Sequence, residues 1–145
     1  MIATHRPLDL PRQARPTAPA RPSVALVNDD AAVRMSLKFL FEAAGFGVRA
    51  YTGERGLMAS TPARAAECFV LDHRPRGLNG LALGRRLRKL GLGAPIVVTT
   101  GFPCAALEIL AKAIDRVIVT PSIDEALIQR LLKMIDFERS LRTTT

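Results

Sequence analysis

From residue 23 onward the chain alternates short apolar runs with stretches in which apolar residues recur at helical spacing. Residues 23–27, 68–71, 96–99 and 117–119 are almost continuously apolar, and 47–51 is a weaker run of the same kind. Between them the spacing predicts helices. The first covers residues 31–44, with Val33, Leu37, Leu40, Phe41 and Ala44 on one face, Asp30 as its N-cap and Gly45 as its stop. A short helix follows a Thr52 cap and runs to about residue 59. The next spans 81–90 with Leu83, Leu87 and Leu90 facing inward, and another spans 103–113 with Pro103 in its first turn. The last carries Leu127, Leu131, Met134 and Ile135 on its apolar face, behind a capping box of Ser122 and Glu125. Strands apolar on both faces, each followed by a helix, predict an α/β fold: a doubly wound, five-stranded parallel sheet with helices on both faces. The predicted domain covers residues 23–136, with a short tail at 137–145.

Composition changes this picture at the amino end. Residues 1–22 hold five of the ten prolines, interleaved with Arg6, Arg12, Arg15 and Arg21, and Asp9 is their one acid. Proline at that density supports neither a helix nor a strand ladder, so the stretch reads as a disordered basic arm. The chain of 145 residues has a net charge of +8; setting the arm aside leaves 17 of the 21 basic and 12 of the 13 acidic residues. The excess of positive charge is therefore not confined to the arm. It raises the question of nucleic acid, as does the cluster Arg85, Arg86, Arg88 and Lys89. At helical spacing that cluster reads better as a solvated face. Aromatics at 5% and the absence of Trp leave little for base stacking. Cys68 and Cys104 are too few for a metal site or a disulfide framework, and read as small buried hydrophobes. No run is apolar enough to span a membrane, and the prolines interrupt any signal-peptide core, so a cytoplasmic setting is expected.

In a doubly wound sheet, function gathers at the carboxyl ends of the strands. Those ends carry Asn28, Asp29 and Asp30 after the first strand, Asp72 after the third, Thr100 and Gly101 after the fourth, and Thr120 and Pro121 after the fifth. Carboxylates at neighbouring strand ends suit a hard divalent cation, which in turn draws in a phosphoryl group. Asp30 reads as a helix cap. Asp72, followed by a long loop, does not. No glycine-rich phosphate loop follows the first strand, and no Ser, Cys or His stands as a nucleophile with a matching base. His73 reads as a loop residue, and the chain is expected not to be an enzyme.

Four segments carry a family resemblance: Val27-Asn-Asp-Asp-Ala-Ala-Val-Arg34, Val70-Leu-Asp-His-Arg-Pro-Arg-Gly-Leu-Asn-Gly80, Ile96-Val-Val-Thr-Thr-Gly101 and Val117-Ile-Val-Thr-Pro121. Over roughly residues 23–136 the chain resembles the receiver domain of bacterial response regulators, the CheY-like, flavodoxin-like fold of two-component signalling. The resemblance implies a phosphoprotein: a sensor histidine kinase or phosphotransfer protein would place a phosphoryl group on Asp72. Mg²⁺ would be held by Asp29, Asp72 and the backbone carbonyl of Arg74, and Thr100 would be the switch hydroxyl.

Five positions depart from the family pattern. Asn28 replaces one acid of the pocket, so Mg²⁺ is expected to bind weakly. Thr120 stands where the family has a lysine before the proline, here Pro121. Val117 stands at the aromatic switch position, and Pro75-Arg76 replaces Met-Pro. Arg74 or Arg76, beside Asp72, could supply the missing positive charge. The expectation is a stand-alone receiver in a phosphorelay, because the roughly ten residues after the last helix are too few for a DNA-binding helix-turn-helix. It would act on a downstream protein partner, with a homodimer through the last helix and fifth strand left open. The alternative is a phosphorylation-independent pseudo-receiver used as a protein-binding module. Charge-driven nucleic-acid binding comes third.

Overall fold

The computed structural model describes residues 20–143. Residues 1–19, most of the expected arm, lie outside it. Five strands form one parallel sheet: β1 (Ser23–Val27), β2 (Gly47–Tyr51), β3 (Cys68–Asp72), β4 (Ile96–Thr99) and β5 (Val117–Thr120). Their order is β2-β1-β3-β4-β5, so β3 is central and the winding reverses between β1 and β3. The helices are α1 (Ala31–Ala43), α2 (Glu54–Ala59), α3 (Thr61–Arg64), α4 (Gly80–Lys89), α5 (Ala105–Lys112) and α6 (Glu125–Thr143).

Alternation along the strands divides the core in two. Ala25, Val27, Phe69, Leu71, Ile96 and Val98 face one side, under Leu83 and Leu87 of α4 and Leu107 of α5. Val24, Leu26, Cys68, Val70 and Val97 face the other, under Phe41 of α1 and Leu127, Ile128, Leu131 and Ile135 of α6. The β1, β3 and β4 residues are buried on both faces, which explains their unbroken apolar sequence. Phe41 and Phe46 meet edge-to-face, with ring centroids 5.0 Å apart.

Several expectations are corrected. Leu90 is exposed, because the chain leaves α4 there through Gly91 at φ 85°, and Leu92 packs against the core instead. Val33 and Leu40 on α1 are exposed rather than core. Gly53, not Thr52, occupies the N-cap of α2, and no side chain caps it. The unexpected α3 follows, capped by Ser60. Pro103 lies before α5, whose N-cap is Cys104; that thiol is exposed, whereas Cys68 is buried and its pKa is pushed up to about 12 by desolvation. Asp124 rather than Ser122 caps α6: Leu127 N–H donates to its Oδ1 at 2.8 Å. The residues expected as a tail from 137 onward continue α6 to Thr143.

The extra turns of α6 are tied down. Arg139 donates to both carboxylate oxygens of Glu67 at 2.5 and 2.6 Å, and to the carbonyls of Ala20 and Arg21. Residues 20 and 21, expected in the disordered arm, are thus held against the domain. The expected basic face on α4 is also reduced. Arg88 is half-buried and donates to the carbonyls of Leu92, Ala94, Asp115 and Arg116, while Arg86 pairs with Glu54. Among the described residues, no helix is long and apolar enough to cross a membrane.

Candidate functional site

Asp72 is the last residue of the central strand and is 8% exposed. Register places Thr99 beside it on β4 and Thr120 beyond that on β5. Thr99 Oγ1 donates to Asp72 Oδ1 at 3.2 Å. Arg74 Nε donates to Asp72 Oδ2 at 2.9 Å. The same guanidinium lies 3.6 Å from Asp29 Oδ1 and 3.7 Å from Asp30 Oδ2. One arginine thus draws three carboxylates together. The Asp72 charge, with Asp29 and Asp30 behind it, raises the pKa of Arg74 above the ordinary arginine value.

The loop after Asp72 fixes Arg74 through its backbone. His73 N–H donates to the Thr99 carbonyl, and His73 bridges to Asn79. His73 Nδ1 accepts from Leu81 N–H at 3.3 Å, so this side chain closes the loop onto α4. Arg74 N–H donates to the Leu78 carbonyl, and its own carbonyl accepts from Gly77 N–H at 3.3 Å. Gly80 makes the closure: a Cβ there would lie 2.4 Å from the Asp72 carbonyl oxygen. Gly77 has more room: its Cβ would fall 3.2 Å from Asp29 Oδ2, the end of a side chain.

The remaining candidates take other positions. Asn28 is buried, and its Oδ1 accepts from Asp30 N–H at 2.9 Å, forming a local turn rather than a face of the pocket. Asp30 does cap α1, accepting from Ala32 and Val33, and that bond to Val33 is the main cause of its lowered pKa. Thr100 is buried with its Oγ1 accepting from Phe102 N–H at 3.0 Å, within its own loop. Thr120 Oγ1 donates to the Ser122 carbonyl and is not turned to Asp72. Val117 stands at the amino end of β5 opposite Ile96 and packs into the core. Arg76 is exposed at the loop surface.

Sequence reasoning missed Thr99 as a partner of Asp72. Pairing the two strand ends would have found it, since directly paired residues in a parallel sheet present side chains to one face. An open cavity runs from Asp72 and Arg74 past Thr99 and Thr100 to Phe102 and Pro121. The carboxylates of Asp72, in its wall, and of Asp29, on the other side of Arg74, together with the Arg74 carbonyl are oxygen donors of the type Mg²⁺ takes. The Arg74 guanidinium faces the two carboxylates, while the Arg74 carbonyl accepts from Gly77 N–H. Among the described residues, no three His, Cys, Asp or Glu side chains are arranged around a metal position.

An α/β sheet wound in this order, with a nearly buried aspartate at its central carboxyl end and acids and hydroxyls around it, defines a receiver-type domain. The response regulator receiver domain family matches residues 24–132, and the chain belongs to that family. It is 33% identical over 94 residues to the transcriptional regulatory protein FixJ of Bradyrhizobium diazoefficiens, covering 65% of this chain and 46% of that protein. Nodulation protein W of the same organism is 31% identical over 122 residues, covering 82% of this chain and 53% of that protein. The chain thus spans about half the length of the curated relatives it matches. A CheY-like receiver domain from Methanospirillum hungatei JF-1 superposes with a TM-score of 0.68 at 17% identity, over 83% of this chain and 98% of that one. These likenesses bear out the doubly wound five-stranded fold.

Proposed function

We propose that this receiver accepts a phosphoryl group on Asp72 from a sensor histidine kinase or phosphotransfer protein and passes the signal on through protein contacts. The observation that carries this reading is the setting of Asp72. Its carboxylate stands at the central strand end, oriented by Thr99 and charge-balanced by Arg74, at the wall of an open cavity. In the transfer, one Asp72 oxygen bonds to phosphorus as the phosphorus–nitrogen bond of the donor's phosphohistidine breaks, and that electron pair returns to the imidazole. Asp29, Asp72 and the Arg74 carbonyl would hold Mg²⁺, which when bound supplies positive charge for the phosphoryl oxygens. Thr100, at the cavity wall, is the hydroxyl that would turn to a bound phosphoryl group. The domain itself catalyses no turnover in this reading, and its work is done in the cytoplasm.

Arg74 takes the electrostatic part that the expected lysine would have played. Thr120 is neutral and turned away, while Arg74 already lies on the carboxylate. The same ion pairs support a second reading, a pseudo-receiver whose pocket is held closed and which binds partners without phosphorylation. Incubation with acetyl phosphate and Mg²⁺, followed by intact mass measurement, separates the two. The expected result is a gain of one phosphoryl group that is absent in Asp72→Asn. An unchanged mass in the wild-type protein would leave the pseudo-receiver.

A further inference from the structure

The Arg74 side chain reaches where a divalent ion would have to stand. Its Nε holds Asp72, and its two other nitrogens lie toward Asp29 and Asp30. We propose that this guanidinium is a resident cation that competes with Mg²⁺ for the carboxylates of Asp29 and Asp72, so that the metal enters only as Arg74 withdraws. The proposal rests on the phosphoacceptor reading above and adds a control step to it.

Three features support it. First, Arg74 is the cation that pairs with Asp72, Asp29 and Asp30 among the described residues; the nearby Arg34 guanidinium is engaged instead by the Asn28 carbonyl at 2.8 Å. Second, the competition is unequal in charge but favoured by position. Arg74 is monovalent, yet it is covalently present two residues from Asp72, while Mg²⁺ must be drawn from solution and give up water. Third, the arginine can leave without unmaking the loop. Its backbone is held by Leu78 and Gly77, and Pro75 after it restricts that backbone to extended conformations. The side chain is free of such restraint: it is 41% exposed, and one of its three carboxylate contacts is within hydrogen-bond distance. Withdrawal is therefore a rotation of one side chain into water.

Competition of this kind predicts a weak Mg²⁺ site that strengthens when the guanidinium is removed. Calorimetric titration of MgCl₂ into wild-type protein, Arg74→Ala, Arg74→Met and Arg76→Ala tests it. Arg74→Met keeps an unbranched apolar stem and guards against a folding defect in the alanine variant, with thermal melts confirming folded protein. The expected result is Mg²⁺ affinity about tenfold higher in both Arg74 variants, from the loss of one positive charge beside the ion, and unchanged in Arg76→Ala. Mg²⁺ should also raise the melting temperature of the Arg74 variants more than that of the wild type. Equal affinity in wild-type and Arg74 variants would overturn the competition and leave the phosphoacceptor reading standing. No binding to any of the four proteins would overturn the competition and the metal-assisted reading together.

Discussion

Gly80 sets how closely the loop after the central strand can fold back onto it. The space beside the Asp72 carbonyl admits a hydrogen and no carbon, with 2.4 Å where a Cβ would stand. That obstacle is backbone, which cannot rotate aside. Gly80→Ala should therefore destabilise the domain by roughly 3 kcal/mol, read from a shift of the denaturant midpoint at constant slope. Gly80 closes the second of the segments that carry the receiver resemblance, eight residues past Asp72. Arg74 was only half legible. Its place beside Asp72 was visible, but so was that of Arg76, and neighbouring loop residues point in directions that spacing does not fix. Only the folded loop, anchored by His73 and Leu78, shows which arginine turns inward. Asn28 was read as a weakened pocket oxygen, yet a short amide side chain beside a turn bonds its own backbone first.

At the scale of elements, the strands were the most legible parts because burial on both faces leaves a continuous apolar signature. The helix ends were less so. Ser122 and Glu125 have capping-box spacing, but the chain enters α6 two residues later and Asp124 supplies the cap. Asp124→Ala should cost about 1 kcal/mol of stability, while Ser122→Ala should cost less than about 0.5 kcal/mol; paired urea melts measure both. Leu90 shows the same limit at the other kind of end. Its helical spacing is right, but Gly91 turns the chain through a left-handed conformation and Leu92 takes the inward place. The far end of α6 was lost because its last turns present charge, and their order depends on Glu67, a partner 72 residues away in sequence.

For the whole molecule, that Glu67 contact joins the amino end of the sheet, α6 and the entering chain. Ser23 N–H and the guanidinium of Arg139 both donate to Glu67, and the Arg139 bond is the main cause of its lowered pKa. The sign follows from the ordinary value of 4.5. A carboxyl lowered by folding stabilises fully above that value, and the contribution fades as pH falls through the lower, folded one. The stability gap between wild type and Glu67→Gln should accordingly be constant near neutrality and narrow from about pH 5 downward, as followed by urea denaturation across pH. A gap that does not change with pH would mean that the pairing contributes nothing.

The acidic pocket at the opposite end of the sheet answers to a different variable. A guanidinium keeps its proton throughout the physiological range, so the positive side of the Arg74 clasp is permanent. Its contacts are partly open to solvent, however, and open ion pairs are weakened by dissolved salt over distances of about 8 Å at physiological ionic strength. The outer part of the clasp is therefore tuned by the ionic composition of its surroundings: salt loosens the hold on Asp29 and Asp30 first, while the bond to the nearly buried Asp72 is screened less.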